Sequence, residues 1–272
     1  FGAVLFYNGY TKLARLRRHV RLIHQKTTLT TDSLNYDRKK NIAYYFSGGM
    51  IEDSLNTLTS RWGQYTPDNH QAIFRDEVKL VNPKFVLTAD TLGYNTETYQ
   101  SDIVGPTTIL YDEETTILST NGWYNTQTEL SMLLDRSRII HVDGITLTGD
   151  TIYYDKANGY GRSLGNIEST DSTNHMTLYG NVSEVWEDGG RGYVTDSAML
   201  LDWSDSTAFT YMHADTLWTE EISYPIFTLK MRDSLLVDSV MVAQNPDTIW
   251  RDTTYQQLRA FWHVRVFRND IQ

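Results

Sequence analysis

The sequence contains no cysteine and only five prolines among its 272 residues. Without cysteine, disulfides, thiolate metal sites and cysteine nucleophiles are all excluded. No apolar run approaches the ~18 residues that a membrane helix requires. The opening FGAVLFYNGY has neither the basic region nor the long apolar region of a signal peptide. We therefore expect any export signal to lie outside this sequence.

The common catalytic and cofactor motifs are also missing. There is no Gly-x-Ser-x-Gly elbow, no His-Glu-x-x-His, no Walker loop and no dinucleotide fingerprint. The seven histidines form no i,i+2 or i,i+4 pairs, so no metal site is predicted. Glu184, Glu187 and Asp188 flank two glycines, which favours a solvated hairpin turn over a catalytic carboxylate pair. The sequence predicts a protein that is not an enzyme and has no cofactor.

The formal net charge of −10 argues against a general affinity for nucleic acids or anionic membranes. One segment, residues 12–26, departs from this balance because it is rich in cations and has no acidic residue. Its cations are Lys12, Arg15, Arg17, Arg18, Arg21 and Lys26. They fit a charged edge strand that resists aggregation, or a docking patch for an anionic head group or acidic partner. The sequence does not choose between the two.

Residues typical of β-strands are abundant. The chain has 18 tyrosines, 7 tryptophans and 9 phenylalanines, together with many threonines and valines, and this composition favours extended, half-buried strands. Asn8-Gly9, Asn121-Gly122 and Asn158-Gly159 are typical hairpin turns. We therefore predict an all-β protein built from repeated short strands.

Five aspartates separate short alternating runs whose phases do not match. Around Asp90 the apolar or small residues stand at offsets −3 and −1 and then at +2 and +4, and Asp150 repeats this pattern. In a straight strand these two sets would face opposite sides of the sheet. The same slip is found at Asp32, Asp196 and Asp215. The chain is predicted to bend at each aspartate, so that both sets face one interior of a folded-over sheet.

The first half of the chain repeats at about 30 residues. Asp32, Asp90 and Asp150 are 58 and 60 residues apart, with weaker half-copies ending in Gly63-Gln64-Tyr65 and Gly122-Trp123-Tyr124. Such spacing indicates a stacked array of equivalent units. We predict one continuous array over residues 1–272, which begins and stops inside a repeat and is a fragment of a longer chain. Residues 223–252 are the least regular and are predicted to form an irregular insertion or a long hairpin.

The repeated motifs resemble the OstA-like, or LptA-type, lipopolysaccharide-transport proteins of Gram-negative bacteria. The resemblance rests on Thr31-Asp32-Ser33-Leu34-Asn35-Tyr36-Asp37 and its copy at 89–95, and on the Gly-Asn-Ile/Val elements at 165–167 and 180–182. It covers about residues 12–219 and recurs from 258. The glycine of the second element is absent before His19 and His263, and Glu77 replaces its asparagine.

This resemblance implies an elongated β-jelly-roll whose two faces enclose an apolar trough for the acyl chains of lipopolysaccharide. It implies a periplasmic transport module rather than an enzyme. The implied partners are lipopolysaccharide or lipid A, other lipopolysaccharide-transport proteins joined by end-to-end β-strand pairing, and further copies of the chain; nucleic acid is not among them.

The apolar positions that follow the corners are the predicted interior wall and lipid-binding residues. They are Val20, Leu34, Tyr36, Val78, Leu92, Tyr94, Ile152, Tyr154, Val182, Ala198, Leu200, Leu217 and Val264. An ordinary closed core would use the same residue types. An alternative function is a β-solenoid that binds glycan or acts as an adhesin through exposed aromatics. A polysaccharide lyase on a β-helix is a third hypothesis, which the lack of an acid/base set disfavours.

Overall fold

The computed structural model describes residues 1–24, 27–230 and 247–270. Its strands are β1 Val4–Asn8, β2 Leu13–His24, β3 Thr27–Asp37, β4 Ile42–Tyr45, β5 Gly49–Glu52, β6 Thr57–Ser60, β7 Trp62–Thr66, β8 Gln71–Asn82, β9 Phe85–Asn95, β10 Gln100–Tyr111, β11 Thr115–Asn125, β12 Leu130–Leu134, β13 Ser137–His141, β14 Ile145–Gly149, β15 Thr151–Asp155, β16 Tyr160–Asp171, β17 Met176–Trp186, β18 Arg191–Thr195, β19 Met199–Asp202, β20 Ala208–His213, β21 Thr216–Lys230, β22 Asp247–Phe261 and β23 Arg265–Asp270. The helical structure in the described ranges is one 3₁₀ turn, Pro67–Asn69.

All the strands belong to one antiparallel sheet that is folded over along a line we call the corner. Wing 1 contains β1, β4, β7, β12, β15, β18, β21 and β22, and wing 2 contains β5, β6, β13, β14, β19, β20 and β23. The longer β2, β3, β8 to β11, β16 and β17 give one half to each wing. The predicted fold class, an all-β folded-over sheet of the β-jelly-roll type, is confirmed.

The phase slip at the corner takes two forms, depending on the direction of the chain. Where the chain passes from wing 1 to wing 2, which we call an outward crossing, the two buried residues nearest the corner are four positions apart, as Phe74 and Val78 are on β8. Where the chain passes back from wing 2 to wing 1, in a return crossing, the corresponding residues are three positions apart, as Ala89 and Leu92 are on β9. All four side chains are buried. Because the outward strand carries the extra residue, the register with its neighbour shifts between Arg75 and Val78.

Positive φ angles explain how the extra residue is accommodated. The outward crossing of β8 has φ of 62° at Asp76 and 57° at Glu77, and that of β16 has 73° at Gly165 and 46° at Asn166. Aspartate, asparagine and glycine tolerate this left-handed region better than other residues do. Paired positive φ values recur at 18–19, 135–136, 196–197 and 262–263. The bend is therefore a regular β-bulge on every second crossing.

The aspartates predicted from the phase slip all lie at the corner, but they do not share one role. Asp32, Asp90, Asp150 and Asp215 are on return crossings. Asp196 is the first residue of an outward bulge, with φ of 57°. At Asp196 the residues at offsets −3 and −1 are Tyr193 and Thr195, which the phase slip predicts to face the interior. This prediction is wrong, because Val194 is the buried residue of β18 and its neighbours point to the other face.

Residues 223–252, predicted as an insertion or long hairpin, lie partly outside the described residues. Their described parts, 223–230 and 247–252, pair with each other as the continuing ladder of β21 and β22. No helix in the part of the chain that the structure describes is long and apolar enough to cross a membrane.

Candidate functional site

The space between the two wings is the candidate binding site. Deep rows of small and apolar side chains line the corner, including Phe74, Leu92, Ile103, Leu133 and Ile152 of wing 1. Core clusters join residues from both wings: one contains Leu58 and Leu87 of wing 2 together with Phe74 and Leu92 of wing 1. The corner is therefore a closed hydrophobic core. Any ligand-accessible surface lies nearer the mouth, the open side of the space between the wings that is opposite the corner.

Most of the predicted wall residues face this interior. Val20, Leu34, Val78, Leu92, Ile152, Ala198, Leu200 and Leu217 are buried. Tyr36, Tyr94 and Tyr154 are half-buried, one step further from the corner on wing 1. The structure brings all of these residues to one inner face, whereas their role in lipid binding stays a prediction.

Val182 and Val264 differ from the other predicted wall residues. Val182 pairs with Leu164 and Thr195, while its neighbour Ser183 is the buried residue of β17. Since successive side chains alternate faces, Val182 faces outward, and its assignment to the interior is wrong. Val264 has the expected position of the last crossing but is 47% exposed. No described strand covers it on the far side, and its role in the interior wall stays a prediction.

A row of tyrosines runs along the inner face of wing 1; Tyr36, Tyr94 and Tyr154 were predicted to lie there, whereas Tyr7, Tyr65 and Tyr124 were not. Cross-strand pairing places Tyr7 opposite Ala14, Ala14 opposite Tyr36, Tyr36 opposite Ala43 and Ala43 opposite Tyr65. The tyrosine row consists of Tyr7, Tyr36, Tyr65, Tyr94, Tyr124 and Tyr154, and the small residues between them are Ala14, Ala43, Ala72, Ser101 and Ser131. The signal was present, because the tyrosines recur every 29 or 30 residues.

An aliphatic row on the inner face of wing 2 faces the tyrosine row. Its pairing runs without interruption through fourteen adjacent segments. The row consists of thirteen apolar residues and one serine, Ser169: Leu22, Leu29, Ile51, Leu58, Leu80, Leu87, Ile109, Ile117, Ile139, Leu147, Ser169, Leu178, Leu200 and Met212. Tyr65 and Tyr94 pack against the cluster that holds Leu58 and Leu87. The inner surface thus has an aromatic side and an aliphatic side.

The tyrosine hydroxyls lie at the mouth and find polar partners there. Tyr36 Oη donates to Asn41 Oδ1 at 2.6 Å, and Tyr154 Oη donates to Glu187 Oε1 at 2.5 Å. Burial, reinforced by the Glu187 carboxylate, raises the pKa of Tyr154 well above its ordinary value. Burial also raises the pKa of Tyr94. Tyr94 and Tyr154 are therefore neutral at physiological pH. The row presents apolar rings inward and hydroxyls toward the opening.

Polar groups hold the back of the site together at the corner. Asn166 Nδ2 donates to Asp150 Oδ2 at 2.6 Å, and Arg136 Nη1 lies 3.7 Å from Asp150 Oδ1. The backbone nitrogen of His19 donates to Asp32 Oδ1 at 3.1 Å. These side chains satisfy backbone and side-chain groups that the bulges leave unpaired. Asp32 and Asp150 therefore have a structural role at the corner.

Two shallow pockets lie on the surface of the protein. They are lined around Gly144 and Asn174, and around Met199 and Phe267, on the surface of wing 2. Within the ranges that the structure describes, no three His, Asp or Glu side chains come close enough together to hold a metal ion.

Comparison with known proteins identifies one family. Residues 1–90 match the sequence model of the OstA-like protein family, which confirms the predicted resemblance over that range. No curated protein matches the sequence. A similar solved structure is LptH, described as the LptA-homologous periplasmic component of the conserved lipopolysaccharide transport device of Pseudomonas aeruginosa. It shares 14% identity over 35% of this chain and 73% of that chain, with a TM-score of 0.33.

Proposed function

We propose that this chain, OstA-like over residues 1–90, is a periplasmic transport module that shields the acyl chains of lipopolysaccharide between its two wings. The acyl chains would lie along the mouth, between the tyrosine row and the aliphatic row. The protein would act as a carrier surface and not as an enzyme.

The single observation that carries the proposal is the continuity of the two rows. Neighbouring strands in a sheet are about 4.8 Å apart, so the fourteen paired segments of the aliphatic row extend for roughly 60 Å. Most of its side chains are half-buried rather than sealed in the core, for example Ile109, Ile117, Ile139 and Leu147. A long, partly accessible apolar strip suits a ligand that moves along the protein.

The chemistry of the rows fits hydrocarbon and needs no specific polar contact. Each buried methylene contributes about 0.8 kcal/mol. An acyl chain that contacts several residues along the rows therefore gains enough free energy to leave water. The alternation of tyrosine with alanine or serine gives wing 1 a ridged surface, into which chains can settle beside the rings. The hydroxyls at the rim stay near water and mark the boundary of the apolar strip.

Entry of lipid requires the wings to separate at the mouth. Lys156 of the β15–β16 turn lies with its Nζ 4.4 Å from the ring centre of Tyr111, which stands at the end of β10 on wing 2. This contact joins the rims of the two wings. Such a contact at a partly exposed site contributes of the order of 1 kcal/mol, so acyl chains can displace it while the deep core stays closed.

The proposed transfer needs neighbours, and the partners we propose are other lipopolysaccharide-transport proteins or further copies of this chain. Pairing with them would occur end to end, through the strand edges of β1 at one end and of β22 and β23 at the other. An unpaired edge strand offers its backbone groups to a new strand, and this would extend the two rows from one protein to the next.

Photocrosslinking tests the proposal with neighbouring residues on opposite faces. Benzoylphenylalanine replaces Tyr124 or Tyr154 of the tyrosine row and, as a matched control, Trp123, which points outward from the same strand as Tyr124. Irradiation with lipopolysaccharide should label the protein from positions 124 and 154 and leave position 123 unlabelled. Probes at the deeper Leu92, Ile152 and Leu200 should label more weakly, because these side chains are fully covered. Equal labelling from both faces would refute the proposal.

A further inference from the structure

Five aromatic side chains form a cluster on the outer face of wing 1, away from the space between the wings. The aromatic platform consists of Tyr153, Tyr160, Trp186, Tyr193 and Trp218. The rings of Tyr193 and Trp218 are stacked, with centres 6.1 Å apart and planes 10° from parallel. The other neighbouring centres are 5.7 to 6.4 Å apart.

Cross-strand register produces this platform. Tyr153, Arg162, Glu184, Tyr193, Trp218 and Arg259 stand opposite one another on successive strands and form one outer row. Tyr160, Trp186 and Arg191 form the next row toward the strand ends. All five aromatic side chains are half-buried. Their rings rest on one another and on the sheet, and their remaining surface is open to solvent.

Four of the five charged side chains in the platform form two ion pairs, and the fifth, Arg191, lies over an aromatic ring. Arg162 Nε lies 3.6 Å from Glu184 Oε1, and Arg259 Nη2 lies 2.5 Å from Glu220 Oε1. Trp218 Nε1 donates to Glu220 Oε2 at 3.4 Å, and Arg191 lies over the ring of Trp186. An anion such as a nucleic-acid phosphate would meet two carboxylates here, and a cationic peptide would meet three guanidinium groups. The pairing therefore favours an uncharged ligand.

The carboxylate of Glu184 lies among the aromatic rings. It is close enough to the hydroxyls of Tyr160 and Tyr193 to act with burial in raising the pKa of both. Its side chain is 20% exposed, so its free lone pairs can still accept hydrogen bonds from a ligand. Flat apolar rings beside planar donors and acceptors match a molecule that has both C–H faces and hydroxyl edges.

We propose that this platform binds a neutral oligosaccharide of gluco configuration, with β-1,4-linked pyranose rings stacked on Trp186, Tyr193 and Trp218. Equatorial hydroxyls give such rings two flat C–H faces, which lie on aromatic faces, and a hydroxyl rim, which hydrogen-bonds to Glu184 and Arg162. Lipid chains are disfavoured, because the embedded charges would be desolvated without a partner. Tryptophan, tyrosine and arginine are also common at protein interfaces, so the experiment below includes a test for self-association.

Calorimetric titration of the full chain with cellohexaose tests this proposal. Trp186→Ala and Trp218→Ala should each weaken binding at least tenfold, and Glu184→Gln should weaken it less. Trp123→Ala is the matched control, because Trp123 stands on the outer face of the same wing and outside the platform. Thermal unfolding of every variant, followed by circular dichroism, shows that the fold is retained.

Three outcomes would overturn the proposal. The first is absence of any heat of binding at millimolar cellohexaose, and the second is binding that survives the Trp186→Ala/Trp218→Ala double variant. The third is self-association of the chain that Trp218→Ala abolishes, because a second copy would then be the occupant. Lipid photocrosslinking from position 124 should be unchanged in the double variant, so this inference and the proposed function can fail separately.

Discussion

Asn166 donates a hydrogen bond of 2.6 Å to the carboxylate of Asp150 across the corner of the sheet. The bond connects a return crossing on β14–β15 to the outward bulge of β16, where Asn166 has a φ of 46°. It therefore holds a strained residue of the bulge in place.

We predict that Asp150→Ala lowers the free energy of unfolding by about 1–2 kcal/mol, because the side-chain amide of Asn166 loses its acceptor and the guanidinium of Arg136 loses one of its ion-pair partners. Asp90→Ala should cost less than about 0.5 kcal/mol, since the exposed Asp90 carboxylate makes no hydrogen bond or ion pair with any described residue. Urea unfolding of both variants measures the difference. Equal losses would mean that the carboxylate contacts of Asp150 do not stabilise the corner.

We predict that Gly63→Ala destabilises the protein by about 1–3 kcal/mol, as overpacking of a dense core does. The buried ring of Tyr45 covers Gly63, and an added Cβ would lie 2.5 Å from ring atoms. Gly9→Ala is the control, since a Cβ there meets nothing within 4 Å. In a Tyr45→Ala background the cost of Gly63→Ala should largely disappear. If Gly63→Ala were equally destabilising in the Tyr45→Ala background, its effect would arise from the backbone and not from a clash with the ring.

Acid should destabilise the turns that aspartates close. At Asp171 burial favours the neutral acid, but hydrogen bonds from Asn174 and Thr173 outweigh it and lower the pKa. A lowered pKa contributes stability above about pH 4, and this stability is lost as the pH falls through the folded-state value. Asp171→Asn keeps the turn, as Asn125 does at its own turn, and should show a smaller loss of stability between pH 5 and pH 3. Identical pH profiles would contradict this assignment.

A polar group in the aliphatic row should weaken lipid binding. Ile117 stands between Ile109 and Ile139 on the inner face, and its neighbour Thr116 points outward. Ile117→Asn should lower the affinity for lipopolysaccharide about tenfold, because the row loses about 1.5 kcal/mol of apolar contact. Thr116→Asn should have no effect. The yield of photocrosslinking from position 124, measured over a range of lipopolysaccharide concentrations, gives the affinity of both variants.

The all-β class, the bend at each aspartate and the unit of about 30 residues could be predicted, because all three follow from local alternation of side chains. The two forms of the corner could not. Gly165-Asn166-Ile167 and Gly180-Asn181-Val182 look like copies of one element, yet the first is an outward bulge with φ of 73° and 46° and the second belongs to a return crossing. Strand direction decides which residue enters the core, so Ile167 is buried and Val182 is not.

The facing rows and the aromatic platform depend on pairing between strands far apart in sequence. Tyr154 and Tyr153 have nearly the same local sequence environment. One faces the interior, and the other joins Trp218 through three intervening strands. Periodicity alone assigns each residue to a face, whereas the register of every intermediate strand determines which residues become neighbours on it.

The alternation of a four-residue and a three-residue corner makes the length of this protein adjustable in fixed steps. One outward and one return crossing restore both the chain direction and the register, and Tyr36, Tyr65 and Tyr94 mark successive steps of 29 residues. Removing one such step would join equivalent positions, with an intact corner and an unbroken tyrosine row. Duplication or loss of whole crossing pairs could therefore change the reach of the protein in evolution without redesign of its core.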